Sequence, residues 1–251
     1  MSPLTNTLII GKVLHELNSC DSTNNYAKDL IAKSKPLEGS VVITDKQTAG
    51  RGQFGNSWVG EEAQNIALSI ILYPNLEVGE QFYLSKIISI ACVDALKSIS
   101  NLDFQIKWPN DIYYGKQKIG GILIENQVSG SKLANAVVGI GINLNQENFE
   151  GLEQANSLFN LVRYILNRKK CTEILLEHID ANYIKLRAKD FASIDKNYHS
   201  SLLFYQQEFQ FKENGLLKKA ILKEVNAAGQ LKVEELGKER LFNFKEIEWV
   251  L

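Results

Sequence analysis

The chain has 251 residues, 45% of them hydrophobic and 23% charged, so it can bury a core as one large domain or as a large and a small one. Its 28 basic and 29 acidic side chains leave a formal charge of -1, which excludes the basic footprint of general nucleic-acid binding. The three cysteines and three histidines lack metal-ligand spacing, and no apolar run reaches the length of a membrane span, so we predict a reduced, cytoplasmic protein without a membrane partner.

The first half of the chain alternates strand and helix patterns. Residues 8–17 predict a strand, and residues 25–34 continue with helical spacing. The β-branched run at 40–47 and the apolar run at 65–72 predict two further strands. Residues 77–99 follow a period of 3.6 and predict a long, largely buried helix.

The second half is richer in strands. The pattern predicts strands or hairpins over 104–108, 109–118, 119–128 and 135–145, a mostly helical segment over 157–189, and short β pieces at 204–211, 218–225, 229–235 and 244–251. The predicted fold is therefore α/β, of the α+β type, with a mixed sheet and packed helices. We place one domain at residues 1–200 and a small β domain at 201–251.

A glycine loop, TAGRGQFGNSW, follows the strand at 40–47. It nearly matches the P-loop pattern, but Asn56 stands where the phosphate-binding lysine belongs, and a strand instead of a helix follows. Glycines let backbone N–H groups approach an anion, Arg51 offers a planar fork for phosphate oxygens, and Trp58 offers a stacking face. The alternative is a flexible surface hairpin with a solvated arginine.

The segment IKWPNDIYYGKQKIGGILIE concentrates polar groups at a turn. Lys107, Asn110 and Asp111 fall within five positions, and Lys118 lies seven residues beyond Asp111, before an apolar strand. A lysine at such a strand mouth can stabilise an anionic transition state. Alternatively, Asn110 and Asp111 are turn residues and Lys118 protects a strand end.

The segment DSTN precedes the first predicted helix. Ser22, Thr23 and Asn24 are helix-capping residue types, and their side chains at a helix N-terminus can also face a ligand. The sequence contains no GxSxG or HExxH motif and no set of residues that indicates a serine triad, which argues against common hydrolases.

Taken in order, these blocks resemble those of biotin protein ligases. The family's DSTN, QTAGRGRxGRxW, KWPND…K(I/L)GGILxE and VGxGINxN blocks correspond to residues 21–24, 47–58, 107–125 and 138–145, and the terminal EIEWVL resembles the end of the family's SH3-like domain. The resemblance implies a class II synthetase-like catalytic domain with a small C-terminal SH3-like β-barrel.

The resemblance also implies a two-step reaction. Biotin and ATP, with Mg²⁺, give biotinyl-AMP and pyrophosphate, and biotin then passes to a lysine of a biotin carboxyl carrier protein domain of acetyl-CoA carboxylase or a related carboxylase. It assigns catalysis to Lys118 and Arg51. It assigns biotin binding to Ser22, Thr23, Asn24, Gln47, Gly50, Arg51, Gly52, Gln53, Lys118, Gly121 and Leu123. It assigns nucleotide binding to Arg51, Trp58, Lys107, Asn110, Asp111 and Asn143.

The sequence departs from the family pattern in the glycine loop. Gln53 replaces a frequent second arginine, and Asn56 and Ser57 stand where another basic residue is frequent. With one cation fewer, we expect biotinyl-AMP to be released more readily.

The remaining expectations concern partners and alternative functions. About 20 residues precede DSTN, too few for the winged helix of some relatives, so no DNA binding is expected. A lipoate ligase and a non-catalytic biotin or nucleotide sensor remain the alternatives, and the oligomeric state, monomer or homodimer, stays open.

Overall fold

A seven-stranded mixed sheet forms the centre of the protein, which is described over residues 6–251 by a computed structural model. The strands are β1 (Leu14–Cys20), β2 (Ser40–Gln47), β3 (Ile66–Leu72), β4 (Gln105–Lys107), β5 (Asp111–Tyr114), β6 (Gln117–Ser129) and β7 (Lys132–Ile142). Their order is β1-β2-β3-β7-β6-β5-β4. β1 and β2 run parallel, and every other neighbouring pair is antiparallel.

Helices cover both faces of this sheet. They are α1 (Thr23–Lys33), α2 (Phe82–Ser100), α3 (Leu158–Val162), α4 (Arg168–Arg187) and α5 (Phe191–Ser201). α2 lies on the larger core and contacts α4 and α5, whereas α1 packs on β2, β3 and β7 over a second, smaller cluster. Val41 and Val42 fall in different clusters, so β2 is buried on both faces and reads as a continuous apolar run.

The C-terminal domain is a five-stranded antiparallel sheet. Its strands are β8 (Glu208–Glu213), β9 (Leu216–Val225), β10 (Leu231–Glu235), β11 (Lys238–Phe242) and β12 (Glu248–Val250), in the order β11-β10-β9-β8-β12. Two buried hydrogen bonds join it to the larger domain: Trp108 Nε1 donates to Gly229 O at 2.9 Å, and Lys86 Nζ donates to Val225 O at 2.7 Å. The C-terminal domain is therefore hydrogen-bonded to α2 and to the turn between β4 and β5.

The predicted fold class is confirmed, with differences at several elements. The strand predicted at 8–17 begins only at Leu14, because the backbone N–H groups of Leu8, Ile9 and Ile10 donate to the Asp180 carboxylate instead of to a neighbouring strand. The helical segment at 157–189 divides into α3 and α4, and both α5 and β11 were not predicted. The proposed domain boundary at residue 200 falls at the end of α5 and stays a prediction.

None of the helices within residues 6–251 combines the length and the apolar character that a membrane span requires.

Candidate functional site

A cavity of about 540 Å³ lies between the central sheet, the glycine loop and the C-terminal domain. Five segments supply most of its lining, and each contains one of the motifs recognised in the sequence or follows the end of a strand. The lining residues are Ser22, Thr23, Asn24, Gln47, Arg51, Gly52, Gln53, Phe54, Asn56, Ser57, Trp58, Leu68, Lys107, Trp108, Pro109, Asn110, Asp111, Lys118, Gly121, Ile122, Leu123, Gly139, Ile140, Gly141, Gln154, Lys245, Ile247, Glu248 and Trp249. The sheet order makes this possible, because β3, β7 and β6 are neighbours beneath the loops.

Two glycines of β7 let polar and aromatic side chains lie directly on the sheet. A Cβ at Gly139 would stand 2.4 Å from Asn24 Oδ1, and one at Gly141 would stand 2.4 Å from Trp58 Cε2. Such distances are far below van der Waals contact, so any larger residue would displace Asn24 or Trp58. The VGIGIN strand therefore lies directly beneath Asn24 at the start of α1 and beneath Trp58 at the end of the glycine loop.

The start of α1 faces the cavity, and its polar residues form hydrogen bonds with side chains of β2 and β3. Ser22 occupies the N-cap position, but its side chain makes no capping hydrogen bond, which corrects the capping role expected for this hydroxyl. Thr23 donates from its backbone N–H to Gln47 Oε1 at 2.9 Å, and Ser69 Oγ lies 2.6 Å from Asn24 Oδ1. These side chains are oriented by the sheet below them and not by the helix end.

Arg51 is held at the base of the glycine loop by an acidic partner. Its Nη2 lies 3.1 Å from Glu125 Oε1, and its Nη1 donates to Asn25 Oδ1 at 2.9 Å. Lys28 Nζ, from α1, reaches the same carboxylate at 2.5 Å. Burial acts to raise the pKa of Glu125, but the hydrogen bonds from Lys28 and Asn24 and the charge of Arg51 hold it below its ordinary value.

Lys118, in β6, lines another part of the cavity and is paired with Asp111, the first residue of β5. Its Nζ is 2.6 Å from Asp111 Oδ1, and its side chain remains 33% exposed. Asn110 Nδ2 donates to Ile122 O at 2.8 Å, so its amide oxygen is the atom left for a ligand. Gly121 lies beside this pair, and a Cβ there would make ordinary van der Waals contact with both Lys118 and Asp111, at 3.5 Å.

The C-terminal domain contributes Lys245 and Trp249 to the lining, and Trp249 faces Lys107 of β4. Lys107 Nζ lies 5.3 Å from the ring centroid of Tyr113 and 5.8 Å from that of Trp249, and burial lowers the pKa of this lysine. Among the described residues, two buried polar atoms of the lining lack a hydrogen-bond partner: Gln53 Oε1 and Trp249 Nε1. An acceptor and a donor of this kind are available to a ligand.

The cavity as a whole has an excess of positive charge. Its lining includes four cations, Arg51, Lys107, Lys118 and Lys245, against two carboxylates, Asp111 and Glu248. The part near α1, lined by Thr23, Asn24 and Gln47, is suited to an uncharged group with hydrogen-bonding edges, whereas the part near Lys118 is suited to an anion. The arrangement can therefore bind a molecule that is apolar at one end and phosphorylated at the other.

Comparison with known proteins shows which family this chain resembles. A sequence profile described as the biotin/lipoate A/B protein ligase family matches residues 17–143, which include α1, the glycine loop and the segment from Lys107 to Glu125. The match covers just over half of the chain. The chain belongs to the biotin/lipoate A/B protein ligase family.

Individual members of this family show how far the likeness extends. The bifunctional ligase/repressor BirA of Bacillus spizizenii is 35% identical over 141 residues, which are 56% of this chain and 43% of BirA. The chain thus spans less than half of the length of the BirA relatives that it matches. A biotin–[acetyl-CoA-carboxylase] ligase of Mycobacterium tuberculosis is 28% identical over 184 residues, covering 70% of this chain and 67% of that protein.

A solved structure of the family extends the likeness to the C-terminal domain. The biotin protein ligase from Aquifex aeolicus in complex with biotin and ATP superposes with a TM-score of 0.77 at 27% identity. It covers 94% of this chain and 98% of that chain. The fold with its small C-terminal β domain is therefore a fold of this family.

The structure brings fourteen of the sixteen residues assigned to the family's site to the cavity lining. Gly50 and Asn143 lie outside it. A Cβ on Gly50 would meet Trp58 O at 2.3 Å, so this glycine shapes the loop, and buried Asn143 donates to Asn156 O at 2.9 Å.

Sequence reasoning missed several residues of the site. Glu125 was only part of an apolar strand motif, although its carboxylate orients Arg51. Lys245 lies outside every motif, and the terminal EIEWVL, which contains Ile247, Glu248 and Trp249, was assigned only to the end of the small domain, because the position of that domain alone brings these residues to the cavity.

Proposed function

We propose that the protein activates biotin with ATP to form biotinyl-AMP and transfers biotin to a lysine of a biotin carboxyl carrier protein domain. The observation that supports this best is a single cavity whose lining combines the hydroxyl and amide groups of Thr23, Asn24 and Gln47 with four cations against two carboxylates. The Aquifex aeolicus ligase, whose structure holds biotin and ATP, resembles nearly the whole chain.

The end of the cavity near α1 is suited to the bicyclic ring of biotin. Leu123 and Ile140 supply apolar surface to the lining, and Thr23, Asn24 and Gln47 add hydroxyl and amide groups. The ureido edge of biotin has two N–H donors and one carbonyl acceptor, which such groups can satisfy. A small number of fixed polar groups in an apolar pocket gives specificity of orientation.

In the first step, a biotin carboxylate oxygen attacks the α-phosphorus of ATP and the bond to the bridging oxygen breaks. Pyrophosphate leaves with that oxygen, and no protein nucleophile is required. Two anions must approach each other, so cations at the junction stabilise the transition state more than the separated substrates. We assign this role to Lys118, with Arg51 acting from the glycine loop.

In the second step, the neutral ε-amine of the carrier lysine attacks the acyl carbon of biotinyl-AMP. The bond between this carbon and the phosphate oxygen breaks, AMP leaves, and the amine proton is lost to solvent. Water would hydrolyse the same mixed anhydride, so the glycine loop and Trp58 must cover it until the acceptor binds.

The residues around Lys118 fit a magnesium ion that binds together with ATP. Within residues 6–251, no cluster of three or more His, Cys, Asp or Glu side chains could hold a metal. Mg²⁺ commonly takes one or two protein oxygens and completes its shell with phosphates and water. The Asp111 carboxylate and the Asn110 amide oxygen would hold it, and it would neutralise phosphate charge there.

The decisive experiment measures pyrophosphate release from ATP·Mg²⁺ with biotin, with lipoate and without an acid. Biotin-dependent release is expected, followed by a mass increase of one biotinyl group on an added carrier domain. Lipoate-dependent release would instead assign the protein to the lipoate branch of its family. Biotin binding without pyrophosphate release in any arm would leave a sensor and refute the proposal.

A further inference from the structure

We propose that the turn at residues 243–247 is the docking point of the glycine loop, and that Phe54, Phe244 and Lys245 are positioning residues for retention of the acyl-adenylate. The inference rests on the proposed adenylation and adds a role for the C-terminal domain. Lys245 Nζ lies 4.2 Å from the ring centroid of Phe54, and the Phe54 and Phe244 rings are 6.4 Å apart. The tip of the loop thus touches the C-terminal domain through one cation and one aromatic ring.

The two residues that form this contact, Phe54 and Lys245, both have an unusual backbone conformation. Phe54 has φ 58° and Lys245 has φ 68°, so both occupy the left-handed region that non-glycine residues rarely adopt. Phe54 is also 52% exposed, although it is large and apolar. Strained residues persist where their surroundings fix them, and here the two strained residues face each other.

The turn is itself anchored to the segment that carries Asn110 and Asp111. The Phe244 ring lies 5.3 Å from the ring of Trp108 and 6.0 Å from that of Phe82. Trp108 is buried and is bound to the C-terminal domain through its indole N–H. Docking of Phe54 therefore connects the loop to the nucleotide end of the cavity through packed rings.

The glycine loop can respond to this contact as a unit. Gly52 N donates to Asn56 O at 2.7 Å, and the backbones of Arg51 and Ser57 form an antiparallel β-bridge. The loop is therefore a hairpin closed at its base. Its base is held by the Arg51–Glu125 ion pair, whereas its tip is held by the turn. Removing the tip contact should leave the hairpin held by the Arg51–Glu125 ion pair alone, and should therefore raise the population of open states in which the Arg51–Gly52 bond is accessible to trypsin.

Gln53, the residue before Phe54, makes the tip contact more important for retaining the acyl-adenylate. Gln53 provides no charge where the family pattern often has an arginine, so the loop carries one cation fewer. We infer that docking of the tip supplies part of the retention that this arginine would give.

The test compares Phe54→Ala, Lys245→Ala and the double variant, with Phe54→Tyr as conservative rescue and Lys238→Ala as a control for an exposed lysine of the same domain. Two readouts are measured: the dissociation rate of biotinyl-AMP, and the rate of trypsin cleavage after Arg51 without added ligand. For Lys245→Ala we expect about a two- to fivefold faster dissociation, the value of one partly exposed cation–π contact. For Phe54→Ala, which also loses Phe244, we expect about tenfold.

The double variant should resemble Phe54→Ala, because both substitutions remove the same contact. Trypsin cleavage should accelerate in the same order, while Phe54→Tyr and Lys238→Ala stay close to the wild type. Unchanged dissociation and cleavage rates, or effects that multiply in the double variant, would overturn the proposal. If the wild type forms no adenylate, the proposed function fails, and the cleavage rates alone still decide whether the loop docks.

Discussion

Replacing Lys118 by alanine tests the centre of the proposed chemistry. A preorganised donor aimed at developing charge contributes about 10²–10³ in kcat, so we expect a loss of that size in biotin-dependent pyrophosphate release. The fold should be retained, because the Lys118–Asp111 pair is partly exposed, at 33% and 18%, and contributes at most about 1 kcal/mol to the free energy of unfolding. The melting temperature should fall by no more than about 4 °C.

The assay is single-turnover pyrophosphate release at saturating ATP·Mg²⁺ and biotin, with thermal unfolding measured in parallel. Lys116→Ala is the matched control, since Lys116 is an exposed lysine of the same hairpin. The variant also leaves Asp111 without its cation, so Lys118→Ala combined with Asp111→Asn is compared with Asp111→Asn alone, which shares the loss of the proposed Mg²⁺ ligand; this comparison separates repulsion from lost stabilisation. Turnover of Lys118→Ala within about tenfold of the wild type would refute the catalytic role, and so would full recovery in the double variant.

Three further changes test other parts of the site. Gly141→Ala should raise the KM for ATP with little loss of stability, because its Cβ would overlap Trp58. Gly79→Ala is the control: a Cβ at Gly79 has no atom within 4 Å, so steady-state kinetics should stay unchanged. Gln53→Arg should slow biotinyl-AMP dissociation by restoring a loop cation, and equal rates in a pulse-chase measurement would contradict this. Since the folded-state pKa of Glu125 lies below 4.5, its contribution to stability is present above that pH and is lost as pH falls through the lower folded value. Urea unfolding between pH 6 and 3 should therefore show a steeper loss for the wild type than for Glu125→Gln.

Strands with local signals were predicted well, and elements that depend on distant partners were not. The run at 40–47 became β2 with the same bounds, because its β-branched residues are buried on both faces and the glycine loop ends it. The run at 8–17 has similar composition, yet its first part is bound by Asp180, a residue about 170 positions away. No local pattern contains that information, since a single carboxylate accepting three backbone N–H groups is a tertiary event.

The same distinction applies to the site. Fourteen of the sixteen residues that the resemblance assigns to the site line one cavity, because each motif lies on its own strand end or helix start, and their roles stay predictions. The ionic partners required the structure: Glu125 meets Arg51 only because α1 and β6 approach the loop together. The contribution of Lys245 and Trp249 to the lining depends on how a second domain docks, which periodicity cannot indicate.

The pairing of both proposed catalytic cations with carboxylates has a consequence for catalysis. Arg51 faces Glu125 and Lys118 faces Asp111, so a bound anion must compete with an internal partner before it gains either cation. Such pairing reduces the cost of holding a partly buried charge, and it also weakens ground-state binding of any phosphate. As charge develops between the biotin carboxylate and the α-phosphate, the attraction to Lys118 grows, while its attraction to Asp111 does not. The pairs therefore favour interactions that strengthen in the transition state, which is the condition for raising kcat and not merely lowering KM.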